Sequence, residues 1–150
     1  MNENQTQPVA LITGSGRPRI GNRIAQALGD RGYRIALHYC SSEGEAQAAL
    51  HEFRDLGIEA EAFQADLSQE NDVDRMFDAV HDRFGRLDAL VTTASIWKAK
   101  KLEDLSADYL RRNFDVNTLG TFLCVRRAGL MMADQQSGGT VVTVGDWAIE

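Results

Sequence analysis

Five short apolar, β-rich segments alternate with helical patterns along this chain: Val9–Ile12, Arg34–Tyr39, Glu59–Ala65, Ala89–Thr93 and Thr140–Val144. Ile20, Ile24, Ala27 and Leu28 recur at helical spacing between the first two, closed by Gly32. Ala46, Ala49, Leu50 and Phe53 do so in the next interval, up to Gly57, and Val73, Met76, Phe77, Val80 and Phe84 in the third, up to Gly85. A longer helical stretch runs from about Ala107 to Ala133. Such spacing buries one stripe of each helix. Strict alternation of strand and helix implies an α/β fold, a parallel sheet with helices on both faces. Right-handed crossovers make the doubly wound arrangement its natural topology, with ligands bound beyond the carboxyl ends of the strands.

The first of those strand ends carries a glycine-bearing turn, Thr13-Gly14-Ser15-Gly16-Arg17-Pro18-Arg19-Ile20-Gly21. Glycine lets backbone approach a ligand closely, and the helix behind the turn offers unpaired N–H groups and partial positive charge. A strand, a glycine turn and a helix in that order point to a dinucleotide pyrophosphate. The second strand ends in Leu37-His38-Tyr39-Cys40-Ser41-Ser42, with no acidic residue to accept bonds from ribose hydroxyls. Ser41, Ser42 and Arg17 can instead surround a 2′-phosphate, which selects NADP(H). Ser41-Ser42 is equally suited to capping the helix that follows, and the two roles are compatible.

The remaining composition excludes more than it proves. One hundred and fifty residues are one domain's worth of chain, and a net charge of -6 argues against nucleic acid. No apolar run reaches bilayer length. The polar start Met1-Asn2-Glu3-Asn4-Gln5-Thr6-Gln7 lacks a signal-peptide core, so the expected location is the cytoplasm. Cys40 and Cys124 lie far apart, and His38, His51 and His81 lack ligand spacing, so no metal is expected.

The chain resembles the short-chain dehydrogenase/reductases over essentially its whole length, and within them the pteridine and dihydromonapterin reductases. The glycine turn carries the first part of the resemblance, with Arg19 in place of the middle glycine and one residue more than usual between Gly14 and Arg19. Ala94-Ser95-Ile96-Trp97 carries the second, although Thr92 and Thr93 replace two asparagines common in the family. Asp146 carries the third, standing after the fifth strand where most relatives have serine. The resemblance implies a Rossmann-type domain over residues 1–150 that reduces a pterin-like or carbonyl substrate by hydride transfer. A 3-oxoacyl or carbonyl reductase and a non-catalytic NADP-binding regulatory module are the alternatives.

Gly14, Arg17, Arg19, Ile20, Gly21, His38, Ser41, Ser42, Asp66, Leu67, Ala94 and Ser95 would then line the cofactor site. Asp66 would accept from the adenine amino group, a role set against that of a plain helix N-cap. Trp97 would stack on the substrate ring, with Ser95 and Arg19 bonding to it. Asp146 would relay a proton, and Asn117 would support that relay. Tyr33, Tyr39 and Tyr109 each lack a lysine four residues on, so the family's catalytic tyrosine–lysine pair is expected on a continuation of the chain. Flanking Phe114, Leu119, Phe122 and Leu123 predict a largely buried last helix, apolar on more than one face, and hence a homo-oligomer, dimer or tetramer.

Overall fold

The computed structural model of the chain describes residues 7–145. Strands β1 (Val9–Thr13), β2 (Arg34–Tyr39), β3 (Ala60–Gln64), β4 (Ala89–Thr92) and β5 (Thr140–Thr143) form one sheet in the order β3-β2-β1-β4-β5. Every neighbouring pair runs parallel. Helices α1 (Ile20–Gly29), α2 (Glu43–Asp55) and α3 (Glu70–Phe84) provide the first three crossovers. The chain order reverses its direction across the sheet between β1 and β4, which opens a crevice at their carboxyl ends.

All five residues of β1 are buried, because helices cover both of its faces. Val9 and Leu11 face a cluster with Phe77, Val80 and Leu90, against the helices of one layer. Ala10 and Ile12 face Ile35, Leu37, Ala49 and Phe53 in the other. The α3 stripe is buried as its spacing predicts, and Gly85 ends the helix in the left-handed conformation at φ 76°. Beneath the sheet, the buried Arg34 guanidinium donates to the carbonyls of Gln7 and Phe84 at 3.2 Å each. It also lies 5.3 Å from the Phe84 ring centre, so a cation rests on an aromatic face and a helix C-terminus. Burial pushes the Cys124 thiol up to about 12, which keeps it an inert core group.

Residues 107–133 are helical throughout, but not as one uniform α-helix. Helix α4 (Ala107–Phe114) passes through a π-helical turn (Asp115–Leu119) into α5 (Gly120–Ala133). The expectation that this stretch is largely buried needs correction. Leu123 is buried, but Phe114 and Phe122 are 59% and 58% exposed. Their side chains share an outer face with Leu110 and Leu130, while Leu123, Cys124, Ala128 and Met132 face the sheet and α3. Among the described residues no helix is long and apolar enough to cross a membrane.

Candidate cofactor crevice

The glycine turn is held from three sides. Gly14 has φ 70°, and a Cβ placed there would lie 2.8 Å from the Cα of Ala94. A Cβ on Gly16 would lie 2.9 Å from that of Tyr39, and one on Gly21 would strike Thr93 Oγ1. The glycines are therefore required by packing between β1, the β4 loop and α2, in addition to any ligand. Side chains complete the turn. Thr13 Oγ1 accepts from the N–H groups of Thr93 and Ala94 at 3.1 Å each, and Thr93 returns its hydroxyl to the Thr13 carbonyl. Threonine at 93 thus joins the ends of β1 and β4, although it lacks an amide. Ser15 donates to the Ile12 carbonyl at 2.7 Å and accepts from the His38 N–H, and Asn22 donates to the Ser15 carbonyl.

His38 lies beneath the turn and is buried. Its Nδ1 accepts from the Gly14 N–H at 2.9 Å, so the ring is the Nε2–H tautomer, donating to the Ala65 carbonyl at 3.1 Å. Its ring meets the turn at Gly14 and its carbonyl accepts from the N–H groups of Ser15 and Gly16, so His38 supports the turn from the buried side. Burial lowers its pKa to about 4, against the opposing pull of the Ala65 carbonyl and the Asp66 charge.

The residues around the crevice mouth fit a dinucleotide phosphate. No side chain caps the N-terminus of α1 and no acid stands in its first turn, so its positive end is uncompensated. Arg19 and Ile20 are exposed at that end and Gly21 is buried behind them. Arg17 is half-exposed beside the start of α2, where its Nε lies 3.3 Å from Glu45 Oε1. Ser41 is exposed and Ser42 occupies the N-cap position of α2, but the Ser42 hydroxyl makes no capping bond. Its carbonyl starts the helix by accepting from Ala46, which leaves the hydroxyl unspent on the helix.

Asp66 stands three residues before the N-cap position of α3, which is Gln69, so it does not cap that helix. It closes its own turn instead, accepting from the Ser68 N–H at 3.0 Å and the Ser68 hydroxyl at 2.7 Å. Arg112 of α4 then donates to Asp66 Oδ2 at 3.1 Å and to the Ser68 hydroxyl at 2.6 Å. Partial burial pushes the Asp66 carboxyl up, but the Ser68 bonds and the Arg112 guanidinium outweigh it and hold it below the usual carboxylate range. Leu67 is buried, and Gly120 at the start of α5 lets the helix pack directly on it.

Beyond Ala94 the β4 loop becomes exposed through Ser95, Ile96 and Trp97, with Trp97 81% accessible. Asn117, within the π-helical turn, grips this loop with both ends of its amide. Its Oδ1 accepts from the Ile96 N–H at 2.8 Å and its Nδ2 donates to the Ile96 carbonyl at 2.9 Å. Asn117→Ala should therefore destabilise the protein by only about 1–2 kcal/mol. It should also free the Ile96 amide to exchange with solvent, and unchanged exchange protection at Ile96 would refute the grip. Asp146 lies outside the described residues. Thr13, Ser15, Asn22 and Arg112 were not singled out from sequence, yet all four build the site. Thr13 and Ser15 flank Gly14 within the turn, which is a local signal for those two, whereas nothing local marks Asn22 or Arg112.

No three potential metal ligands converge among the described residues. A separate open cleft of about 450 Å³ lies between α3 and α5, lined by Asp78, His81, Asp82 and Arg127. It is remote from the glycine turn, and Arg127 already pairs with Asp74 and Asp78 across it.

Residues 8–148 match the short chain dehydrogenase family. The chain is 33% identical over 132 residues to the 3-oxoacyl-(acyl-carrier-protein) reductase FabG of Staphylococcus epidermidis, covering 88% of this chain and 54% of that protein. It is 33% identical over 136 residues to an uncharacterized oxidoreductase of Methylorubrum extorquens, covering 91% and 53%. Among solved structures, a short chain dehydrogenase from Burkholderia cenocepacia in complex with NADP is 34% identical with a TM-score of 0.85, covering 93% of this chain and 56% of that one. A dehydrogenase/reductase from Sinorhizobium meliloti superposes at a TM-score of 0.86 with 30% identity, covering 93% and 54%. The chain spans about half the length of the curated relatives it matches.

Proposed function

This chain belongs to the short-chain dehydrogenase family, and from that premise we propose that it holds the cofactor of an NADP(H)-dependent reductase. The observation that carries this reading is the glycine turn, closed on Ala94 and His38 over the uncompensated end of α1. Once bound, the nicotinamide supplies the hydride. The chain's own residues would orient and discriminate: the N-terminus of α1 and Arg19 would hold the pyrophosphate, Arg17, Ser41 and Ser42 the 2′-phosphate, and Asp66 with Leu67 the adenine. Preference for NADP(H) is supported by the absence of an acid at the end of β2 and by the NADP-bound relative. Arg17 offers its charge there although Glu45 shares it.

The substrate reading favoured by the residues is a pterin-like ring. The exposed Trp97 offers it a flat face at the crevice lip, Ser95 a hydroxyl, and Asp146 a carboxylate for proton relay. Similarity to 3-oxoacyl reductases favours a second reading, in which the substrate is a β-oxoacyl thioester and Asp146 replaces serine. The outer face bearing Leu110, Phe114 and Phe122 suits a second copy of the chain, so the assembly is a homo-oligomer.

Titration with NADPH and NADH tests the cofactor reading. NADPH should bind more tightly by about tenfold or more, and Arg17→Ala should remove most of that difference, as loss of one charge-assisted phosphate contact would. Equal affinity for both nucleotides overturns it. Turnover of a dihydropterin against acetoacetyl-CoA by the full-length gene product then separates the two substrates. Binding without turnover of either would identify a regulatory module.

A further inference from the structure

The chain has three lysines, and all of them fall within four positions, Lys98, Lys100 and Lys101. Every other cation is an arginine, and the chain as a whole carries a charge of -6. The stretch follows Trp97 directly and begins four residues past Ala94, which abuts Gly14. It therefore leaves the same end of the sheet as the cofactor crevice.

The loop is fixed while its charges stay in water. Asn117 holds Ile96, and the Tyr109 hydroxyl donates to the Lys98 carbonyl at 2.7 Å. Lys100 Nζ lies 4.6 Å from the centre of the Tyr109 ring, so its ammonium is oriented by the aromatic face. Lys101 leans towards Glu103 at 3.9 Å, with both side chains largely exposed. Among the described residues, Lys98 and Lys100 form no ion pair. A plain solvated loop in an acidic protein has no need to collect all the lysines beside an exposed indole. Unneutralised cations at the lip of a crevice concentrate and steer anions.

We infer that the Trp97–Lys101 loop selects a substrate bearing a carboxylate or phosphate group outside its reacting ring or carbonyl. Trp97 offers the ring a surface, and Lys98 and Lys100 receive the charged appendage. The inference rests on the reading that this crevice is where the substrate binds, and not on its being turned over there.

Matched substrates that differ only in the appendage test it, in the NADPH-loaded full-length protein. Dihydrofolate and dihydrobiopterin share a dihydropterin, with and without carboxylates. Acetoacetyl-CoA and acetoacetyl-N-acetylcysteamine share a thioester, with and without phosphates. In the double variant K98Q/K100Q, kcat/KM for the charged member should fall about tenfold through KM, while the neutral member changes less than about twofold. Raising salt should reproduce that loss in the unaltered protein. Equal effects on both members, or none on the charged one, overturn the inference. Equilibrium dialysis of the same compounds separates it from the reductase reading. If nothing is turned over, that reading falls, and a charged compound bound more weakly by the variant, beside an unaffected neutral one, still upholds the selection. Failure of both charged compounds to bind overturns it.

Discussion

Gly14→Ala is expected to destabilise the protein by about 3 kcal/mol and to abolish measurable nucleotide binding. Two penalties add at this position. The backbone there has φ 70°, a region that costs an L-residue about 1–2 kcal/mol. The new methyl would also sit 2.8 Å from Ala94 Cα and 3.1 Å from its nitrogen, where overpacking costs roughly 1–3 kcal/mol. Ala94 cannot retreat cheaply, because its N–H is bonded to Thr13 Oγ1. Either the turn or the β4 loop must shift, and both line the crevice. Gly85 supplies the control. Its φ of 76° is similar, but a Cβ there meets nothing within 4 Å. Gly85→Ala should cost only about 1 kcal/mol and leave binding intact. Urea denaturation and NADPH titration of both variants decide the matter, and equal losses would show that packing on Ala94 contributes nothing.

Acid should weaken the fold through His38 in a defined interval. In the native state both ring nitrogens are engaged in the neutral form, with Gly14 donating to one and Ala65 accepting from the other. A proton on Nδ1 would place an N–H against the Gly14 N–H. The native pKa of about 4 lies below the ordinary 6.5, so below pH 6.5 the unfolded chain takes up the proton first. The stability that His38 contributes is full above pH 6.5, declines as pH falls, and is lost below about 4. The total is about 3 kcal/mol. His38→Gln should be less stable at neutral pH and should lack this part of the slope. Parallel stability–pH curves for the two proteins between pH 6.5 and 4 would sink the assignment.

The sheet and its helices were legible because burial on both faces of a parallel sheet leaves nearly continuous apolar strands, and one-sided burial leaves a stripe on each helix. The stripe of α3 and the buried strands β1, β2 and β4 followed from that, while β3 and β5, more open to solvent, followed from their β-rich composition, and all strand ends fall within one residue. Glycine marked the turn because tight backbone geometry restricts residue type. What could not be read was long-range. Nothing local tells that Arg112 bonds to Asp66 and Ser68, which lie more than forty residues before it in the chain. The exposure of Phe114 and Phe122 was hidden for a related reason: apolarity records that a surface avoids water, and not which molecule covers it. The π-helical turn left no pattern, since residues 107–133 are apolar on several sides and tolerate a change of pitch.

That turn has a consequence for how the crevice responds to change. One helical rod touches both walls: Arg112 and Gly120 meet the wall at Asp66–Ser68, and Asn117 the wall at Ile96. In an unbroken α-helix successive residues advance by about 100°. The wider turn at 115–119 resets the angular phase between the residues that precede it and those that follow. The two walls are thereby geared to a single shaft, and a rotation of that shaft would displace the Asp66–Ser68 wall and the Ile96 wall together.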